Sequence, residues 1–325
     1  MTKPSIGVIF HPTFPPETLV NYAQQAEAAG FDEVWLWEDS FWAGALTSAA
    51  TMLAGTSRIK VGIGLMPATV RNPLFVAMEI TTLARIYPGR FLPGFGHGVD
   101  GWLKQMGAAP KSNLKALEET VNAVRALLLG ENVSMQGDHV HFDNVQLKLI
   151  PKQQPPLYVG AIREKTMQLA GRVGDGTILT EMASPAYVRW AREQIKIGMA
   201  ESGRKENRVV VFNYAKVGKD SQQARQPIRK ILGETLSWGR PHLTPLGIAD
   251  EAAKLFETLG PEKAAEQMPE AWLDELSSSG TPEQAAATIA RLGDAGADSV
   301  VLLPPKGDPN CLEEYITYLM PLLKQ

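Results

Sequence analysis

The side chains best suited to moving a proton near neutral pH are five histidines, His11, His97, His139, His141 and His242. None has the HExxH spacing that puts two imidazoles on one helical face, and His139 with His141 lacks a third partner nearby, so no metal site is expected. His11 and His97 both follow strand-like runs, where barrel enzymes keep their chemistry. They are the candidates for catalytic proton transfer, with a lining or hydrogen-bonding role as the alternative. Glu38 and Asp39 end another such run and lead into Ser40, Phe41 and Trp42. One of these carboxylates is expected to face a site, the alternative being that both cap the positive end of the following helix; Trp42 has core packing as its default. The sequence has no GxSxG elbow, Walker loop or Cys/His nucleophile pair, which removes support for acyl and phosphoryl transfer.

Gly96, Gly98 and Gly101 spell GxGxxG, the spacing with which a Rossmann turn brings amides to a pyrophosphate. The motif follows the fourth strand-like run instead of opening a βαβ unit, Pro93 interrupts that run, and Trp102, Leu103 and Met106 suit core contacts of the next helix. The remaining functional reading is that Gly94, Gly96 and Gly98 let a flat ligand approach the backbone; the alternative is a turn needing positive φ.

The elements that must position these residues follow from periodicity. Nearly continuous apolar runs begin at Ser5 (SIGVIF), Glu33 (EVWLWE), Lys60 (KVGIGLM), Arg90 (RFLPGFG), Pro156 (PLYVGA), Gly176 (GTILTE), Arg208 (RVVVFNYAKV) and Ser299 (SVVLLPP). Helical patterns separate them: Leu19, Tyr22, Ala23 and Ala26 stop at Gly30, and Thr281, Pro282 and Glu283 cap a helix lined by Ala286, Ile289, Ala290 and Leu292. About eight βα units predict an α/β fold, a single (β/α)₈ TIM barrel over residues 1–325. Residues 139–147, alternating around Asp143 and Asn144, predict a small outer hairpin. Residues 236–279, with Pro241, Pro245, Pro261 and Pro269, predict an insertion before the last strand that covers the barrel mouth.

Composition sets limits on partners. A chain of 325 residues that is 44% hydrophobic and 21% charged, with a net charge of -3, has no field to attract nucleic acid or an acidic membrane surface. A small-molecule substrate is expected. No run reaches the length of a membrane span, and the start, MTKPSIGVIF, lacks a signal-peptide core, so a cytoplasmic location is expected. The single cysteine, Cys311, excludes an intramolecular disulfide and reads as a thiol without chemistry.

The segments AGFDEVWLWEDS from Ala29, VGIGLMPATVRNP from Val61, GRFLPGFGHG from Gly89, LYVGA from Leu157, LAGRVGDGTILTE from Leu169 and GTPEQAAATIARLGDAGADSVVLLP from Gly280 span nearly the whole chain. Together they resemble the bacterial luciferase-like superfamily, particularly its reductases and dehydrogenases that use the 8-hydroxy-5-deazaflavin coenzyme F420. The resemblance implies a non-prolyl cis peptide at Gly64–Leu65 that presses a bulge of the third strand against the coenzyme ring. It also implies that Asp39 sits near the ring, that Gly96, His97 and Gly98 pass beside it, and that Gly160, Ala161, Ile162, Gly176, Thr180 and Glu181 hold the phosphate tail. Glu181 needs either to turn away from that tail or to pair with a base such as Arg163. The implied activity is hydride transfer between F420 and a small organic substrate. Alternatives are an FMN-dependent two-component monooxygenase and a non-catalytic flavin-binding barrel. Family members commonly form homodimers. Ser40 and Val99 stand where the sugar-phosphate dehydrogenases carry His and Glu, which argues against that substrate.

Overall fold

The computed structural model describes residues 3–236, 239–306 and 308–324. Ser237 and Trp238, in the expected insertion, lie outside the described residues. Strand β1 (Ser5–Phe10) leads to α1 (Leu19–Ala29), β2 (Glu33–Leu36) to α2 (Ala45–Gly55), and β3 (Lys60–Pro67) to α3 (Pro73–Ile86). Strand β4 (Phe91–Gly96) leads to α4 (Asp100–Gln105) and α5 (Asn113–Leu128), then to a hairpin of β5 (Val133–Gln136) and β6 (His141–Val145). Next come β7 (Tyr158–Ala161), α6 (Glu164–Val173), β8 (Gly176–Leu179), α7 (Pro185–Ser202), β9 (Arg208–Val217) and α8 (Ser221–Thr235). Helices α9 (Arg240–Leu243), α10 (Ala249–Gln267) and α11 (Glu270–Leu276) precede β10 (Ser277–Gly280), α12 (Pro282–Asp294), β11 (Ser299–Leu303) and α13 (Cys311–Glu314). Among the described residues no helix is long and apolar enough to cross a membrane.

Strands β1, β2, β3, β4, β7, β8, β9 and β11 pair in parallel in that order, and β11 pairs back to β1, closing the (β/α)₈ barrel. Trp35, Tyr158 and Phe212 come from strands that are not neighbours, yet the Trp35 ring lies 5.6 Å from each of the other two, so they meet across the barrel axis. Burying side chains of this size contributes roughly 1.5–3 kcal/mol each. At the N-terminal end of the barrel, buried Glu33 accepts hydrogen bonds from Trp35 Nε1 at 2.8 Å, Ser299 Oγ at 2.9 Å and Arg208 Nη2 at 2.5 Å. This ion pair closes the end away from the loops that follow the strands.

The punctuation read from the sequence is present: Gly30 ends α1 in the left-handed region at φ 81°, and Thr281 makes a reciprocal capping box with Gln284. Three expectations change. The hairpin turns at residues 137–140 instead of at Asp143 and Asn144, because the Glu119 carboxylate of α5 accepts the backbone N–H groups of Asp138, His139 and Val140 at 2.8–3.0 Å. The segment expected as an insertion ends in an unforeseen parallel strand, β10, which pairs with Tyr214–Val217 of β9 and ties Ser278 Oγ to Asn213 Oδ1 at 2.8 Å. Trp42 is 55% exposed, outside the core.

Helices α9, α10 and α11 place Leu243, Ala252, Met268, Trp272 and Leu273 in the same apolar cluster as barrel-axis residues Trp35, Ile178 and Phe212. Gly233 of α8 lets α10 approach: a Cβ there would lie 2.6 Å from Ala265 Cβ.

Candidate active site

Neighbouring strands β11, β1 and β2 deliver Lys306, His11 and Asp39 to one sector of the rim. Their register pairs Val8 with Leu302 and Phe10 with Leu36, so the residues that follow leave the sheet side by side. His11 is buried, with the Trp37 ring 5.6 Å away. Its Nδ1 accepts the Thr13 backbone N–H at 3.3 Å and lies 2.7 Å from the Thr13 hydroxyl. An accepting Nδ1 leaves the proton of the neutral ring on Nε2. Burial, and then the Lys306 ammonium, push the imidazole down from 6.5 to about 4, so the ring is neutral at pH 7.

Glu38 and Asp39 separate into different roles. Arg71 grips both oxygens of Glu38, with Nη2 to Oε1 at 2.5 Å, and Oε1 also accepts the Ala45 N–H at the start of α2 at 3.2 Å. Glu38 therefore caps and anchors. Asp39 is half-buried and makes no side-chain hydrogen bond or ion pair among the described residues. Burial raises its pKa, and the Lys306 charge opposes that rise. The pKa of Glu181, beyond β8, is raised by burial, against a hydrogen bond from its own backbone, and then by Asp39, and its charge is felt by Tyr187 and Tyr214. Arg163 forms no ion pair with it among the described residues.

The Gly64–Leu65 peptide is cis, and the pairing of β3 with β4 shifts register between Ile63 and Met66. Glycines on two other strands make room for the Leu65 side chain. A Cβ at Gly96 would lie 2.2 Å from Leu65 Cδ2, and one at Gly160 2.4 Å from the same atom. Gly96 therefore seats Leu65, and a ligand would meet Leu65 before it met this glycine. Gly98, at φ 73°, packs on Pro67, the positive-φ turn that was the alternative reading.

His97 points elsewhere. Its Nε2 lies 3.1 Å from Thr166 Oγ1 of α6, and its pKa is lowered by burial, opposed by the Asn113 backbone and Asp100. None of these neighbours touches His11. Alternation along β4 turns Gly94 and Gly96 to the axis, and Phe95 and His97 toward the helices. Beside His97, β7 carries Gly160 and Ala161, and just after it the Ile162 carbonyl accepts the Tyr187 hydroxyl at 2.7 Å. The Tyr187 ring stacks 4.5 Å from His242 of α9, whose Nε2 lies 3.0 Å from Thr180 Oγ1. These contacts join the loops after β7 and β8 to the helices before β10.

The rim thus carries His11 and Asp39 in one sector with Lys306, Glu181 within electrostatic reach of Asp39, and Leu65 seated on Gly96 and Gly160, while His97, Ile162 and Thr180 make their contacts on the helix side. Gly176 does not join them. It is the first residue of β8, at the opposite barrel end, where a Cβ would lie 2.3 Å from the Tyr158 ring and 2.8 Å from the Arg208 carbonyl. Its smallness serves packing, which corrects its expected place on the phosphate tail. Sequence reasoning missed Lys306, Tyr187 and the anchoring part of His242; only the position of Lys306 just after a strand-like run could have flagged it.

A parallel barrel that gathers unpaired ionisable groups at the C-terminal ends of its strands has the architecture of a (β/α)₈ enzyme. The chain belongs to the luciferase-like monooxygenase family, which it matches over residues 3–299. It is 30% identical over 316 residues to a 5,10-methylenetetrahydromethanopterin reductase of Methanolobus tindarius, covering 94% of this chain and 95% of that one. It is 27% identical over 269 residues to an F420-dependent glucose-6-phosphate dehydrogenase of Nakamurella multipartita, covering 79% and 77%. The fold superposes on the coenzyme F420-dependent tetrahydromethanopterin reductase of Methanopyrus kandleri with a TM-score of 0.81 at 21% identity, covering 99% and 100%.

Proposed function

We propose that this chain is an oxidoreductase that binds F420 at the C-terminal rim and transfers hydride between it and a small organic substrate. The observation that carries this reading is the half-buried Asp39 carboxylate, which has no side-chain partner among the described residues and stands beside neutral His11. A buried acceptor of this kind suits an N–H on the polar edge of a planar ring. When bound, the coenzyme supplies a hydride carrier at its C5. The kinship with F420-dependent relatives supports this coenzyme.

The residues of the chain divide the work. Leu65, seated on Gly96 and Gly160, gives the ring an apolar backing, and Asp39 fixes its in-plane orientation. His11 presents the Nε2–H of its neutral ring as a hydrogen-bond donor to the substrate atom that gains charge, and water supplies the proton that this atom takes up. His97 and Thr166, together with Ala161 and Ile162 and with Thr180, line the side assigned to the phosphate tail, while Gly160 lies under Leu65. His97 moves in this proposal from proton transfer to tail binding. The helices of residues 240–276 cover the mouth. The protein works in the cytoplasm as a homodimer, with α3 in the interface, since Phe75 and Met78 on that helix are 62% and 47% exposed.

The test is titration of purified protein with F420 and with FMN, followed by fluorescence and by protection against heat. Saturable micromolar binding of F420 is the expected result. Binding of FMN alone would replace hydride transfer with the monooxygenase reading, and binding of neither would reject the site.

A further inference from the structure

Several cations near the rim are already ion-paired. Glu38 holds Arg71, Asp308 and Glu314 hold Lys216 at 2.6 and 2.7 Å, Glu270 and Asp274 hold Arg225, and Asp250 holds Arg240 at 2.7 Å. Arg163 is exposed, but it stands at the start of α6 on the His97 side. Lys306 is exposed and makes no ion pair or hydrogen bond among the described residues. Asp308, two residues on, is turned to Lys216 instead. Pro304 and Pro305 precede Lys306 and restrict its backbone, while the parallel register of β11 with β1 keeps it beside the segment that carries His11.

We infer that Lys306 determines substrate specificity by holding an anionic group, a phosphate or carboxylate, of a substrate bound beside His11 and Asp39. The inference rests on the proposed binding of a redox coenzyme and a substrate at this rim. An ammonium with all its protons unclaimed makes charge-assisted hydrogen bonds to such oxygens, which are stronger than neutral ones. Asp39 is the acid that feels the Lys306 charge, and the two form no ion pair or hydrogen bond among the described residues. A phosphate at Lys306 could belong to a substrate or to the coenzyme tail; the tail is assigned to the His97 and Thr166 side, so the substrate is the source proposed.

The experiment uses wild type, Lys306→Ala and Lys306→Arg. Affinity for F420 is measured first. The F420-loaded proteins are then titrated with inorganic phosphate at constant ionic strength, following coenzyme and tryptophan fluorescence, since Trp37 lies against His11. The expected result is saturable phosphate binding that weakens at least tenfold in Lys306→Ala, is largely restored in Lys306→Arg, and leaves F420 affinity the same in all three. Phosphate binding that is absent from wild type, or unchanged in Lys306→Ala, would overturn the proposal. So would a tenfold loss of F420 affinity in Lys306→Ala, which would assign the lysine to the coenzyme. If no protein binds F420, the coenzyme reading fails separately, and the same phosphate titration on apo protein, read by tryptophan emission, decides the part played by Lys306.

Discussion

Leu65 of β3 and Gly160 of β7 interlock although their strands are not hydrogen-bonded neighbours: a Cβ on Gly160 would lie 2.4 Å from Leu65 Cδ2. The glycine sets how far the leucine withdraws from the rim, and Gly96 sets the same limit from the strand between them.

Gly160→Ala should therefore push Leu65 toward the coenzyme. The obstructing atom is the end of a flexible side chain, so the fold should survive with a loss of about 1–3 kcal/mol. F420 affinity should fall about tenfold, or roughly 1.4 kcal/mol. Urea unfolding and fluorescence titration measure the two effects, and unaltered affinity would separate Leu65 from the binding site.

Glu38 and Asp39 should respond differently to loss of charge. Glu38→Gln weakens the Arg71 pair and the contact with the start of α2, costing about 1–3 kcal/mol of stability. Asp39→Asn removes a charge that burial disfavours, so stability should hold or rise while F420 binding weakens. Matched denaturation and binding curves check both variants; an Asp39→Asn protein that binds F420 normally would remove Asp39 from ring orientation.

The two rim histidines should also separate. His11→Ala is expected to reduce turnover while leaving F420 affinity within about twofold, whereas His97→Ala is expected to weaken F420 binding itself. Stopped-flow rates of coenzyme oxidation, paired with equilibrium titration, distinguish the outcomes. The reverse pattern would return proton transfer to His97.

His242 makes stability depend on pH. Burial lowers its pKa from 6.5 to about 4 in the fold, so the unfolded chain binds a proton between those values that the fold does not. Its contribution is full above pH 6.5 and is lost as the pH falls toward 4, by about 3 kcal/mol in total. His11, lowered to about 4 as well, adds in the same direction. His242→Gln should show a shallower decline between pH 7.5 and 4.5 in urea midpoints, and a decline as steep as wild type's would rule out a neutral buried ring.

Phe75→Glu with Met78→Glu should give a monomer by sedimentation if α3 forms the dimer interface. Both side chains are exposed on the single chain, so the monomer should stay folded, with a thermal midpoint lowered by the lost subunit contact. A dimer that persists would place the interface elsewhere.

The barrel strands were legible because each is a nearly continuous apolar run, buried on both faces, and that pattern survives in one dimension. Strand β10 was not legible. Ser277, Ser278 and Ser279 have little strand preference, and they are held by pairing with β9 and by Asn213. The hairpin turn was misplaced for a similar reason, since the carboxylate that fixes it belongs to Glu119 on α5.

Residue types and their positions after strands were enough to nominate His11, His97, Asp39 and Glu181, because the end of a strand is a local property. The direction each side chain takes is not local. Alternation and a partner on α6 turn His97 to the helices, Arg71 withdraws Glu38 and leaves Asp39 at the rim, and closure of the barrel brings Lys306, at the end of the last strand, beside the first. Sequence determined which chemistry the rim could hold. Only the closed sheet, which makes neighbours of β11 and β1, decided which groups share it.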